Sequence, residues 1–137
     1  YARWLDETGR IPGARLCTDL EWERAARGAD ARVFPNGLAL APDDANIDVT
    51  YGQKEKAFGP DEVGSHPASD SPFGVADLTG NVWEWTVEGG DLRRPCTRGG
   101  SWYQSARTAR ADNRQPNVAP TTRTPRLGVR ICATPQF

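Results

Sequence analysis

The chain has 137 residues, with 17 Lys and Arg set against 18 Asp and Glu for a formal charge of −1. That length is one domain or part of one, and the balanced charge excludes the basic excess that marks a nucleic-acid-binding surface. No apolar run approaches the roughly 20 residues that span a bilayer and no signal peptide is visible, so the reading is a cytoplasmic chain with neither membrane nor nucleic acid as partner.

A mean hydropathy of −0.65, with 14 Gly and 11 Pro, predicts a loop-rich fold. Tyr1 to Thr8 reads as the last turns of a helix, with Tyr1, Trp4 and Leu5 on one side and Gly9 ending it. Thr18-Asp19-Leu20-Glu21 has the form of a capping box, in which Thr18 accepts from a first-turn N–H and Glu21 reaches back. It predicts a helix from Asp19 to about Arg27, stopped by Gly28. Leu20, Trp22, Ala25 and Ala26 are its apolar contacts, with Trp22 as the core anchor.

Ala29 to Pro72 is dense in Pro, Asp, Asn and Gly. A loop this long in a compact domain needs ligands, ions or another chain to order it. Asp43 to Asp48 places oxygen donors at close intervals but lacks the glycine and terminal Glu of an EF-hand. His66, the sole histidine, reads as a surface or packing residue.

Val82 to Val87 reads as a strand, with Trp83 and Trp85 on one face and Glu84 on the other. A carboxylate amid that much aromatic surface is costly unless something pairs with it. Either Glu84 accepts hydrogen bonds from an Arg or from backbone N–H groups, or it holds a cation together with Asp77 and the intervening carbonyls. Glu88 to Pro95 reads as a polar turn and Cys96 to Trp102 as a short strand with a Gly-Gly break. Arg107, Arg110 and Arg114 form either a basic patch or local pairs with acids and carbonyls. Gln115 to Pro125 reads as a surface loop, and Leu127, Val129 and Ile131 alternate as the inward face of a closing strand.

Cys17, Cys96 and Cys132 permit at most one internal disulfide and match no zinc spacing. They are expected to be buried free thiols, with a Cys17–Cys132 pair as the alternative because both lie beside core-forming stretches.

Gly80-Asn81-Val82-Trp83-Glu84-Trp85 resembles the G-N-x-W-E-W signature of the formylglycine-generating enzyme (sulfatase-modifying factor) family. In matching order, Arg15 to Gly28 resembles its R-L-P-T-E-x-E-W-E-x-A-A-R-G, Arg98-Gly99-Gly100-Ser101-Trp102 its R-G-G-S-W, and Gly128-Val129-Arg130 its closing G-F-R. The resemblance implies a mixed α+β, loop-rich fold of the C-type-lectin-like kind. It also implies that residues 1–137 are the C-terminal portion of a single domain whose N-terminal part is missing.

Carried over residue by residue, one family calcium site falls on Asp77, Gly80, Val82 and Glu84, and the start of a second on Asn46 and Ile47. Oxygen donors of this kind suit structural calcium. The family's two copper-binding catalytic cysteines fall on Gln104 and Ala109. Neither side chain supplies a thiolate, so no catalytic residue is assigned and no copper is expected. The reading is a non-catalytic binding or regulatory module, part of a larger bacterial signalling or effector protein. Its candidate ligand face is Trp102, Tyr103, Gln104, Arg107 and Arg110, and its partner a protein, a peptide or another domain of the same polypeptide. Two alternatives stand beside it: a metal-dependent oxidase with ligands outside this chain, and a hypervariable ligand-display protein.

Overall fold

A computed structural model describes residues 1–52, 54 and 58–135. Parts of the Ala29–Pro72 loop and the last two residues of the chain therefore lie outside the described residues. The elements in order are α1 (Ala2–Glu7), β1 (Ala14–Thr18), α2 (Asp19–Arg27), β2 (Trp83–Val87), β3 (Pro95–Arg98), β4 (Arg114–Pro116), β5 (Leu127–Val129) and β6 (Ile131–Ala133), with single 3-10 turns at Pro67–Ser69 and Glu88–Gly90.

The helix α2 forms where its capping box predicts. The Thr18 hydroxyl accepts from the Glu21 N–H at 3.1 Å, and the Glu21 carboxylate accepts from the Thr18 N–H at 2.9 Å. Arg15 grips the same carboxylate through two bonds of 2.7 Å, and chiefly for that reason Glu21 is pulled down to a pKa of about 2. Trp22 is buried as expected, but Leu20 is 69% exposed, a correction to the expected helix face.

The strands make one six-stranded sheet in the order β4-β3-β2-β1-β6, with β5 pairing β2. Strand β2 is its hinge. It runs antiparallel to β3, parallel to β1 through Cys17↔Thr86 and Thr18↔Val87, and parallel to β5 through Trp83↔Leu127, Glu84↔Gly128 and Trp85↔Val129. The expected single closing strand is instead split at Arg130, so that Leu127–Val129 follows β2 while Ile131–Ala133 pairs antiparallel with β1. Val129 is accordingly 47% exposed and not inward-facing. The expected surface loop after Asn113 begins with a strand, because Arg114–Pro116 pairs with β3.

One sheet face packs on α2, where Cys17, Trp22, Ala26, Leu78 and Ala111 form the core. The three cysteines are not all free. Cys17 and Cys132 form a disulfide, the alternative pairing, because β1 and β6 lie side by side with the two Cα atoms 4.9 Å apart. Cys96 is a free buried thiol.

Candidate functional site

The four sequence motifs meet around Glu84. The Trp22 indole N–H donates to one Glu84 oxygen at 2.6 Å, and Arg130 donates Nε to that oxygen at 2.8 Å and Nη2 to the other at 2.7 Å. Arg130 also reaches the Ala76 carbonyl at 2.8 Å, tying the closing segment to the approach to β2. Of the two readings of Glu84, the structure realises the arginine pair. A second buried charge is handled the same way. Arg98 donates to Glu23 at 2.9 Å and to Asp19 at 3.4 Å, while its other amino group faces the carbonyls of Ala111, Asp112 and Asn113. Arg114 completes the cluster by donating to Asp19 at 3.1 Å.

Gly80 and Asn81 stitch the long loop to the sheet. A Cβ on Gly80, at φ +72°, would stand 2.2 Å from the Asn46 carbonyl, so no other residue fits there. Asn81 donates its N–H to that carbonyl at 2.8 Å and accepts from the Asp61 N–H through its side chain at 2.9 Å.

Asp77, Val82 and Glu84 border one cavity of about 350 Å³ with Arg130 among its lining. Three of the positions assigned to calcium by resemblance are therefore brought together, and Gly80 is adjacent in sequence. Glu84 is already neutralised by the Arg130 guanidinium, which a calcium ion at the same carboxylate would face as a like charge. Asp77 keeps a left-handed backbone, φ +57°, and accepts from the Gly64 N–H at 2.7 Å. Asn46 donates to the Gly59 carbonyl at 2.8 Å, and the Ile47 carbonyl accepts from Thr50 at 3.1 Å.

The positions that correspond to the family's two cysteines hold no thiol. Gln104 accepts from the Ser101 hydroxyl at 3.1 Å, and its backbone carbonyl accepts from the Asp48 N–H. Ala109 is fully buried against Gly100, where a Cβ would come within 2.9 Å of the Ala109 Cα. Cys96 is buried too, and loss of hydration pushes its thiol above the ordinary range. No accessible thiol remains, since the other two cysteines are bonded to each other.

Beside Gln104, the aromatic residues of the expected ligand face pack together. Trp102 and Tyr103 meet edge-on with centroids 5.8 Å apart, and Phe58 packs on both at 4.5 and 5.5 Å. The Arg126 guanidinium lies 4.9 Å from the Tyr103 ring centroid, and Tyr103 stays 51% exposed. Sequence reasoning missed Phe58 and Arg126. A lone aromatic in a polar loop was the signal available for the first, and nothing local marked the second. Arg110 turns away into a two-bond pair with Asp112, whereas Arg107 is exposed and makes no ion pair among the described residues.

The family model for the sulfatase-modifying factor enzyme 1-like domain matches residues 1–135. The chain belongs to that family. Among its relatives, the inactive C-alpha-formylglycine-generating enzyme 2 of Bos taurus is 35% identical over 136 residues, covering 89% of this chain and 44% of that protein. The chain thus spans less than half the length of this relative. Among solved structures, PvdO from Pseudomonas aeruginosa superposes with a TM-score of 0.76 at 27% identity, covering 96% of this chain and 56% of that one. Treponema denticola variable protein 1 gives 0.71 at 26% identity, covering 89% and 48%. These neighbours share the formylglycine-generating-enzyme-like fold, so the fold class read from the four motifs is the observed one.

Proposed function

We propose that this member of the sulfatase-modifying factor family is a non-catalytic binding or regulatory module, and that it captures a protein or peptide segment through the Trp102–Tyr103–Phe58 patch and Arg107. The observation that carries the reading is the state of the sulfur. Oxidation of a cysteinyl substrate through protein thiolates needs two of them, accessible and adjacent. This chain holds an amide at Gln104, a buried methyl at Ala109, a disulfide and one buried thiol. Its single imidazole, His66, is committed to Asp61 and to the Asp43 carbonyl. An oxidase built on this fold would have to draw every soft or imidazole ligand from outside the chain. The match to a relative described as inactive supports the same reading.

The aromatic patch, half-buried at Phe58 and Trp102 and exposed at Tyr103, suits capture. Aromatic rings and an arginine supply contact area at low entropic cost, and such residues dominate the energetics of protein interfaces. The test has two arms. Incubated with copper and a cysteinyl peptide, the purified protein should form no aldehyde; turnover would overturn the reading. Arg107→Glu should abolish partner capture in affinity purification while leaving the melting temperature unchanged, and unaltered capture would remove this face from consideration.

A further inference from the structure

Charge is unevenly placed along the chain. Residues 101–126 carry five arginines and a single carboxylate, Asp112, although the whole chain is formally −1. Two of the five are matched to acids: Arg110 pairs with Asp112, and Arg114 with Asp19 and Glu88. Arg123 donates to the carbonyls of Pro120 and Thr122. Arg107 and Arg126 pair with no carboxylate among the described residues.

Both of these cations belong to the Tyr103 face. The Arg126 guanidinium lies over the Tyr103 ring, 4.9 Å from its centroid, and the Arg126 carbonyl accepts from the Trp83 N–H at 2.8 Å, which anchors its backbone to the sheet. The ring attracts the charge without satisfying its N–H donors. Arg107 is exposed in the turn after Gln104, closed by the Thr108 N–H on the Ser105 carbonyl at 2.9 Å. Asp48 donates its N–H to the Gln104 carbonyl, yet its carboxylate pairs with neither arginine.

A guanidinium is weakly hydrated, and two of its N–H donors match the two oxygens of a carboxylate. Building on the reading of this face as the capture site, we propose that the captured segment is an acidic peptide. Its carboxylates meet Arg107 and Arg126, and a neighbouring apolar side chain packs on Tyr103. A single nucleic-acid strand also suits aromatic rings and arginines, but it needs a longer basic track than two side chains, and the acids elsewhere on the chain repel it.

The full-length protein, immobilised, is used to select from a random-peptide phage library. Recovered sequences should be rich in Asp and Glu. The most enriched peptide and a copy with its carboxylates replaced by amides are then titrated by fluorescence anisotropy. The acidic peptide should bind about tenfold more tightly than the amide copy. Arg107→Gln and Arg126→Gln should each weaken it by a similar factor at an unchanged melting temperature, while Arg93→Gln, an exposed arginine paired with Asp91, should have no effect. Neutral or basic sequences that bind the wild type and fail to bind Tyr103→Ala overturn the acidic assignment and leave capture at this face standing. Equal binding of the two copies, no loss in either arginine variant, or displacement by an equal concentration of a thymidine oligonucleotide also overturns it. No enrichment, or peptides indifferent to Tyr103→Ala, overturns the capture reading as well.

Discussion

Glu84 lies between two tryptophans in the middle strand, and three N–H donors meet its two oxygens. A carboxylate so placed is paired by Arg130, and Arg130 is held in turn by the Ala76 carbonyl. Glu84→Gln should therefore leave a guanidinium facing an uncharged amide. The expected loss is about 2–4 kcal/mol in urea unfolding, somewhat below the full cost of breaking a buried pair, since Arg130 keeps 25% of its side chain in water. A chelator should leave the melting temperature of the wild-type protein unchanged. A chelator-dependent fall would return Asp77 and Glu84 to the cation reading. From sequence alone the need for a partner at Glu84 was legible, because a charge between indoles demands one. Which partner was not legible, because Trp22 and Arg130 stand 62 and 46 residues away.

At the scale of elements, legibility followed the range of the interaction. The α2 boundaries came directly from the Thr18 and Glu21 side chains, which act three residues apart. Leu20 misled because a short helix offers few turns over which to judge its face. Val129 misled because the register changes at Arg130, where the backbone leaves β2 for β1. The long loop between α2 and β2 was legible only as something that required ordering, and the structure shows how that is done. His66 presents Nδ1 to the Asp43 carbonyl at 3.1 Å and Nε2 to the Asp61 carboxylate at 2.8 Å, while Tyr51 donates to the same Asp61 oxygen at 2.7 Å. Both ring nitrogens face acceptors, an arrangement satisfied by the imidazolium. Burial by itself would lower the His66 pKa, but the bonds to Asp61 and the Asp43 carbonyl, with the nearby charge of Asp77, raise it above the ordinary value. A raised folded pKa means that this stabilisation is complete below about pH 6.5 and is lost as pH rises through the folded value. Denaturation midpoints should therefore fall as pH rises above about 6.5, and His66→Gln should flatten that dependence. An equal slope in both proteins would remove His66 from the clamp.

Across the whole molecule, one covalent bond joins the first strand to the last. The Cys17–Cys132 bridge spans 115 residues of sequence and sits beside Trp22 in the core. Its spacing matches no local motif, so the sequence offered the pair only as an alternative, from the place of both cysteines beside core-forming stretches; the adjacency of β1 and β6 decides it. Closing so long a loop restricts the unfolded chain strongly. Cys17→Ser paired with Cys132→Ser should lower unfolding free energy by on the order of 2–5 kcal/mol, and reductant should shift the wild type but not the double variant. Unchanged stability on reduction would mean that packing alone holds β6 in place.

The same bridge decides what a single cut can do. Most of residues 1–137, and with them every irregular stretch between α2 and β5, hangs inside one sulfur-closed ring. A protease that nicks an exposed bend there severs the backbone without parting the pieces. A damaged copy would keep its bulk and its Trp102–Tyr103 patch until a thiol released it.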